Sequence, residues 1–518
     1  MPSEEQTMIN IENEEGSSLI TAYSQIPYAM LSEEIDSSSN DLLTELTEIC
    51  KYYKVYKKGA NFVVEGTNGD YVPAKLKFKT SASLINKEAR FLFAEPPDIV
   101  VKAKADVGAV SQEARDNITV LNDLVHTILT KNKFEESLIK AAKDCFIGKR
   151  VAGVVNFNET DGVTVTFLNS KQFVYEFKSG NTNVLKKFVG FEVLRDSVAS
   201  IDKRIFKKKF VLEEDGYVYV EETLYDGAGT ELEVITEYQP TKLKEIPAVI
   251  IINDGLLGEL RGESEIDQLD DYESWYSRLS NADIDAERKN MNAIRYAVDM
   301  EANSTKNLSS SPGSFWDLQS DQNLDDRHPA VGTLESSMNY SESLDKTLQR
   351  IKNQGYEQVD MPNINLETMS GTITSGKALK AIYWPLIVRC GEKMKVWGPQ
   401  LNALVDIIIK GALVYPNCVT KYSKDTPMPV DYEIEIVQNT PLPEDEEEEK
   451  NIDLSEVDSF VMSKKAYMKK WRGLSDDEAD EELKQMALER QILEDSTFSG
   501  STTSESIEEE LPYPNAVE

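Results

Sequence analysis

Gly371-Thr-Ile-Thr-Ser-Gly376-Lys377-Ala378 falls one residue short of the phosphate-binding loop G-x-x-x-x-G-K-[ST]. In that motif the backbone amides and the lysine cradle phosphates, and the closing hydroxyl holds magnesium. Ala378 has no oxygen to offer. The segment ahead of it, Asn363–Ser370, is a poor version of the apolar strand such a loop follows. The one hydrophobic run ending in an acid, Ala248–Asp254, lies upstream in an unusual order. A flexible polar loop before a helix is therefore the expected reading, with nucleotide hydrolysis as the competing one. Other catalytic residue types are scarce. The chain has two histidines, His126 and His328, and His126 sits in an apolar helical pattern, so a histidine triad or histidine-rich metal site is not expected. Cys50, Cys145, Cys390 and Cys418 are scattered with no C-x-x-C, which argues against zinc or a disulfide framework and fits a reducing compartment. No catalytic residue, metal or cofactor is expected.

The near-motif opens onto the longest apolar-periodic segment of the chain. Leu379, Ile382, Tyr383, Leu386, Cys390, Met394, Trp397, Leu401, Leu404 and Ile408 recur mostly at three- and four-residue steps. A helix from Ser375 to Leu413 spans about 58 Å at ~1.5 Å per residue. Pro385 and Pro399 fall inside it, and each is expected to kink or interrupt it by removing a donor and crowding the preceding turn.

With 518 residues the chain has room for several domains, and its formal net charge is −35. Such an excess of acid favours solubility and repels nucleic acid. Glu4, Glu5, Glu12, Glu14 and Glu15 stand where a signal peptide would be basic, and no uncharged apolar run approaches the ~20 residues that span a bilayer, so no membrane association is expected. Residues 1–40 read as a flexible acidic arm. Helices are expected at Asp41–Lys58, Ser81–Phe93, Val110–Thr130 and Phe134–Ile147, with a short strand at Asn61–Gly66 and another at Asp98–Lys102. Eight runs rich in Val, Ile, Phe and Tyr then follow between Arg150 and Ile252, several divided by Asp-Gly turns, which predicts antiparallel sheet. The basic run Lys203–Phe210 is expected to be one charged strand face, with nucleic-acid contact as the alternative. A helix follows from Ser264, where Ser264-x-x-Asp267 resembles a capping box. Its polar face carries Asp267, Asp270, Asp271, Glu273, Asp283 and Asp285. A β-containing excursion leads to a returning helix from Ser341. Past the strand Tyr432–Val437 and the acidic junction Thr440–Lys450 come three helices, then a Ser/Thr/Glu-rich tail expected to be disordered.

This pattern resembles the portal proteins of tailed bacteriophages, of the long-tailed siphovirus type. Four features carry the resemblance, in order: an early helix followed by Ser83–Ile99, the helix–excursion–helix hairpin, the junction Ser375-Gly-Lys-Ala-Leu-Lys380, and the Val437–Glu448 junction into a helical end. It spans roughly residues 40–495. The resemblance implies an α+β portal fold with wing, α-hairpin stem, small β-containing clip and C-terminal helical crown. It implies a wing at 41–262, stem helices at 263–292 and 340–356, a clip at 293–339, a tunnel loop at 357–374, a long kinked helix and return strand of the wing at 375–440, a crown at 441–495 and a tail at 496–518. It also implies a homo-oligomeric ring of about twelve subunits at the capsid vertex of the virion, assembled in the host cytoplasm, through which double-stranded DNA is packaged and ejected. The implied partners are the terminase large subunit, head-completion or adaptor proteins, and the major capsid and scaffolding proteins. The family hydrolyses nothing itself, in keeping with the damaged phosphate loop.

On that reading, Asp267, Asp270, Asp271 and Glu342 are candidates for an acidic channel lining that keeps DNA centred and mobile; solvated outer faces are the alternative. Asn363, Asn365, Glu367, Thr368, Ser370, Thr372 and Thr374 give the tunnel loop exchangeable polar contacts, suited to a guide and not to a reader of bases. At the loop–helix junction, Ser375, Gly376, Lys377 and Lys380 set two cations against the helix dipole. Their expected partner is a carboxylate on a neighbouring subunit, with direct phosphate contact as the alternative. Two further readings compete with the portal: a nucleotide-dependent enzyme with a phosphate loop, or another acidic capsid adaptor ring.

Overall fold

The computed structural model describes residues 18–35, 39–64, 72–104, 111–195, 203–291, 294–300, 328, 330–334, 339–364, 376–423, 425, 427–442 and 446–499. The chain divides into two compact units. One comprises Met1–Leu366 with Ile382–Pro441, the other Glu367–Ala381 with Leu442–Glu518. Among the described residues no helix is long and apolar enough to cross a membrane.

The first unit begins with α1 (Tyr28–Ser32), α2 (Ser39–Lys58), α3 (Thr80–Phe93), β1 (Asp98–Ala103), α4 (Gln112–Lys131) and α5 (Phe134–Gly148). Each helix buries one stripe: Leu84, Ile85, Ala89 and Leu92 on α3, Leu121, Leu124, Val125 and Ile128 on α4. The Val/Ile/Phe-rich stretch forms β2 (Arg150–Asn158), β3 (Gly162–Asn169), β4 (Phe173–Lys178), β5 (Asn181–Leu194), β6 (Arg204–Leu212), β7 (Val218–Asp226), β8 (Glu231–Pro240) and β9 (Ala248–Ile252). Strands β4 to β8 pair in sequence order as a five-stranded antiparallel meander, while β3, β2 and β9 form a three-stranded sheet with β2 central. Gly162 and Gly216, each after an aspartate, adopt positive φ, which is why Asp-Gly marks these turns.

Helix α6 (Glu265–Met291), β10 (Ile294–Val298), β11 (Ala330–Leu334) and α7 (Ser341–Glu357) follow. β10 and β11 pair antiparallel, and α6 packs on α7. Next come α8 (Gly376–Val414), the short α9 (Pro416–Val419) and β12 (Tyr432–Val437), which pairs with β1 across more than 300 residues of sequence. Helix α8 continues through Pro385 and Pro399, so neither proline ends it. It supplies Leu386, Trp397, Leu401, Leu404, Val405 and Ile408 to the main core, with Phe93 edge-on to Trp397 at 5.0 Å.

Several sequence expectations are corrected. Residues 61–64 make no strand. The capping box at Ser264 is not closed: Ser264 Oγ accepts from Ile266 N at 3.2 Å, but Asp267 Oδ1 takes the Tyr52 hydroxyl instead. Within the acidic arm, residues 18–35 are packed and not free. Ile20, Ile26, Met30 and Leu31 are buried against Val174, Val189, Phe191 and Ile205 of the meander. Glu34, at the end of this segment, pairs with Lys187, Lys207 and Lys209. Lys208 meets Glu222 at 2.7 Å. These partners, all within the chain, give the basic run Lys203–Phe210 its structural role as a charged strand face.

In the second unit, α10 (Glu446–Asp458), α11 (Lys464–Arg472) and α12 (Asp476–Ser499) are joined by short capped turns. Ser463 Oγ caps α11, Gly473 ends it at φ +65°, and Ser475 with Glu478 forms a reciprocal capping box before α12. Asp453 accepts from Trp471 Nε1 at 2.7 Å and meets Lys470 at 2.8 Å, tying α10 to α11.

Candidate functional site

The sequence-predicted site residues fall into three places. Of the loop, Asn363 is described; its Nδ2 donates to Asn353 Oδ1 at 2.8 Å, at the end of α7. Asn365, Glu367, Thr368, Ser370, Thr372, Thr374 and Ser375 lie outside the described residues, as does most of Gly371–Lys377. Gly376 opens α8, on which Lys377 and Lys380 are exposed, and Pro385 and Pro399 lie within its length.

The acids of α6 and α7 differ from one another. Asp267 and Asp270 face α2: Tyr52 donates its hydroxyl to Asp267 at 3.0 Å, and Lys51 lies 3.6 Å from Asp270. Partial burial, with repulsion from Asp271 and Asp267, raises the Asp270 carboxyl above its usual range despite Lys51. Asp271 is exposed, and Glu342 is an exposed partner of Lys346 one turn on. Glu273, expected on a solvated face, is instead buried. Its carboxylate accepts from Ala60 N at 2.7 Å, and from Ser81 N and Oγ at 2.7 and 2.6 Å. It thereby places a negative charge at the positive end of α3. Further along α6, Asn281 bonds both backbone groups of Leu76, and Asp285 accepts from Ala74 N. Helix α6 is thus fastened along its flank to the strand-free segment that precedes α3.

Within the first unit lies a buried ionic cluster that sequence inspection missed. Glu88 of α3, Glu265 at the first position of α6, and Arg389 and Lys393 one turn apart on α8 converge there. Arg389 Nε donates to Glu88 Oε1 at 2.8 Å, and its Nη2 donates to Glu265 Oε2. Lys393 Nζ donates to Glu265 Oε1 at 2.5 Å and to Asn253 Oδ1 at 3.0 Å, with Glu88 at 3.5 Å. Arg389 Nη1 also lies 3.8 Å from Asp360, three residues ahead of Asn363. Burial opposes ionisation of Glu265, but Lys393 and Arg389 outweigh it and hold that carboxyl below its ordinary range. Glu88 goes the other way: burial and repulsion from Glu265 raise it beyond what the two cations restore. The readable signal was Glu88 itself, an acid inside the Leu84/Ile85/Ala89/Leu92 stripe, matched by two cations on the most apolar helix.

Two anions against two cations make a neutral mechanical joint, and its chemistry is that of an anchor. Burial first, then Glu88, pushes the neighbouring Cys390 thiol up to about 12, where it is a poor nucleophile. Among the described residues no group of His, Cys, Asp and Glu could hold a metal ion. The family model for phage portal protein, SPP1 Gp6-like, matches residues 10–493. The chain belongs to that portal family. Membership makes it a capsid component of the phage portal vertex, oligomeric and associated with the passage of DNA. No curated protein matches the chain. In this portal chain the anchor joins the start of α6, the core of α3, the approach to the loop and the helix that follows it.

Proposed function

We propose that about twelve copies of this chain form a ring around a DNA channel. The terminase docks on the ring during packaging, and head-completion proteins dock after it. Helices α6 and α7 are the stem, β10 and β11 belong to the clip, residues 357–374 are the tunnel loop, and α10 to α12 are the crown. The ring is a conduit and not an enzyme: the nucleotide is spent by the motor, and Ala378 leaves the phosphate loop without its metal-binding hydroxyl.

The observation that carries this reading is the anchor of Arg389 and Lys393 on Glu88 and Glu265. Asp360 on one side of the loop and α8 on the other are held to the same buried charges. A loop that touches moving DNA needs fixed ends and a mobile, weakly binding tip, and the polar sequence Asn363–Thr374 supplies such a tip. Duplex DNA carries one charge per ~1.7 Å of axis, so basic walls would grip each phosphate in turn. An acidic lining that includes Asp267, Asp270, Asp271 and Glu342 keeps the duplex sliding. Neutralising these four as Asn, Asn, Asn and Gln tests the lining. Slower packaging, most marked at low salt, supports it; packaging unchanged at low and high salt refutes it.

A further inference from the structure

Strand β9 lies at the edge of its sheet, with β2 on its inner side. Two flanking bonds fix where its backbone groups point. Asn253 N donates to Lys149 O at 2.8 Å, and Val155 N donates to Pro247 O at 2.9 Å. These pairs continue the antiparallel register that sets Val151 opposite Ile251 and Gly153 opposite Val249. Bonding alternates along such a ladder, so Val249 and Ile251 bond to β2 while Ile250 and Ile252 turn their N–H and C=O groups outward. Among the described residues nothing takes up these outward groups. Ala248 N, the next on that side, is satisfied locally by Ile246 O at 2.7 Å.

Ile250 is buried, and the edge opens onto a groove of about 650 Å³. Val396, Ala403 and Ile407 of α8 line this groove, as do Leu185 of β5 and Leu212 of β6. Unpaired backbone groups at a buried position cost free energy. Donors and acceptors at the repeat of a strand fit an extended peptide that adds one strand to the sheet. Because apolar side chains reach the groove from a helix and from a second sheet, the added strand needs apolar residues on both of its faces.

We propose that Thr7–Ile11 of the same chain is the strand that pairs with the outer edge of β9. Residues 1–17 lie outside the described residues, and their sequence selects this stretch. In an extended backbone Met8 falls on one face and Ile9 and Ile11 on the other. No proline interrupts it, whereas the apolar residues near the other terminus run Leu511-Pro-Tyr-Pro-Asn. Glu12 follows directly, and Lys244, which lines the groove, makes no ion pair among the described residues. The tether is also long enough. The segment holding Ile20 and Ile26 packs on Val189 and Phe191 of β5, and Leu185 lies four residues before Val189 on that strand, ~14 Å away. Seven residues separate Ile11 from Ser18 and extend up to ~23 Å. Tethering makes the pairing intramolecular, so a strand this short suffices.

Amide hydrogen exchange of the purified full chain, read at Ile250 and Ile252, tests this against a variant lacking residues 2–12 and against I9D/I11D. Both amides should exchange at least about tenfold faster in either variant. Those of Val249 and Ile251, held by β2, should keep their wild-type rates, which also shows that the fold survives. A benzophenone amino acid at Met8 should give, on irradiation, an adduct of single-chain mass that joins the N-terminal peptide to β9 or α8. Wild-type Ile250 and Ile252 amides that exchange as fast as exposed backbone overturn the added strand. Protection that survives the deletion, or an adduct of twice the chain mass, overturns the assignment to Thr7–Ile11 of the same chain. None of these readouts requires a ring, so the proposed function stands or falls separately.

Discussion

Replacing Glu265 by Gln should unbalance the buried anchor while nearly preserving its shape. The carboxylate meets Lys393 at 2.5 Å and also accepts from Arg389, and both cations are mostly buried. After the change Glu88 alone faces two cations. Stripping one partner from a buried ion pair costs ~3–5 kcal/mol, and we expect about 3 because the amide oxygen still accepts one bond. With an unfolding entropy near 2.1 cal/mol/K per residue and a cooperative unit of roughly 200–400 residues, the melting midpoint falls by about 4–7 °C. Thermal melting at pH 7 followed by near-ultraviolet circular dichroism reads this directly, since Trp397 packs in the adjoining core. Lys393→Met alone leaves two carboxylates facing one guanidinium. Combined with Glu265→Gln it leaves Glu88 balanced by Arg389, so the double variant should cost at least ~1 kcal/mol less than the two single losses together. Because the Glu265 carboxyl is held below its unfolded value, its contribution is present at neutral pH and lost as pH falls through its folded value. The deficit of E265Q should therefore shrink in acid. A single variant within about 1 °C of wild type, or a double variant equal to the two losses together, refutes the anchor.

Two more outcomes follow from the same physics. Glu34 is buried, yet Lys207 and Lys209 outweigh desolvation and hold its carboxyl down to about 2 against an ordinary 4.5, so its stabilisation is complete above that value and fades toward pH 2. The melting curves of wild type and Glu34→Gln should differ at pH 7 and converge as pH drops below 4.5; a constant gap contradicts this. Lys377→Glu should block ring assembly if the lysine meets a neighbouring subunit, as judged by sedimentation; rings that assemble but do not package place it on phosphate instead.

Much of the secondary structure was legible because it rests on local pattern. The three- and four-residue spacing from Leu379 to Ile408 gave a helix that the described residues show over Gly376–Val414, ending one residue later than read. Asp161-Gly162 and Asp215-Gly216 marked turns because the glycine takes the positive φ that they need, whereas at Asp226-Gly227 it is Gly229 that takes it. What local pattern does not carry is charge pairing across distance. Glu88 and Arg389 are 301 residues apart, and Glu273 reaches Ser81 across 192. Each reads as a surface charge until the fold puts its partner beside it. Residues 18–35 look like a free acidic arm for the same reason: Ile20, Ile26, Met30 and Leu31 are too few to bury one another, and their cover is a sheet that begins more than 100 residues later. The run 61–64 has strand-forming residues but finds no partner strand, and Ala60 N is given to Glu273. For the loop, polar composition indicates weak contacts without specifying a geometry.

Imaging of the purified full chain by negative-stain electron microscopy tests the central claim most directly. The account predicts turbine-like rings of about twelve copies with a central hole wide enough for duplex DNA. Monomers, closed shells or rings without a hole contradict it.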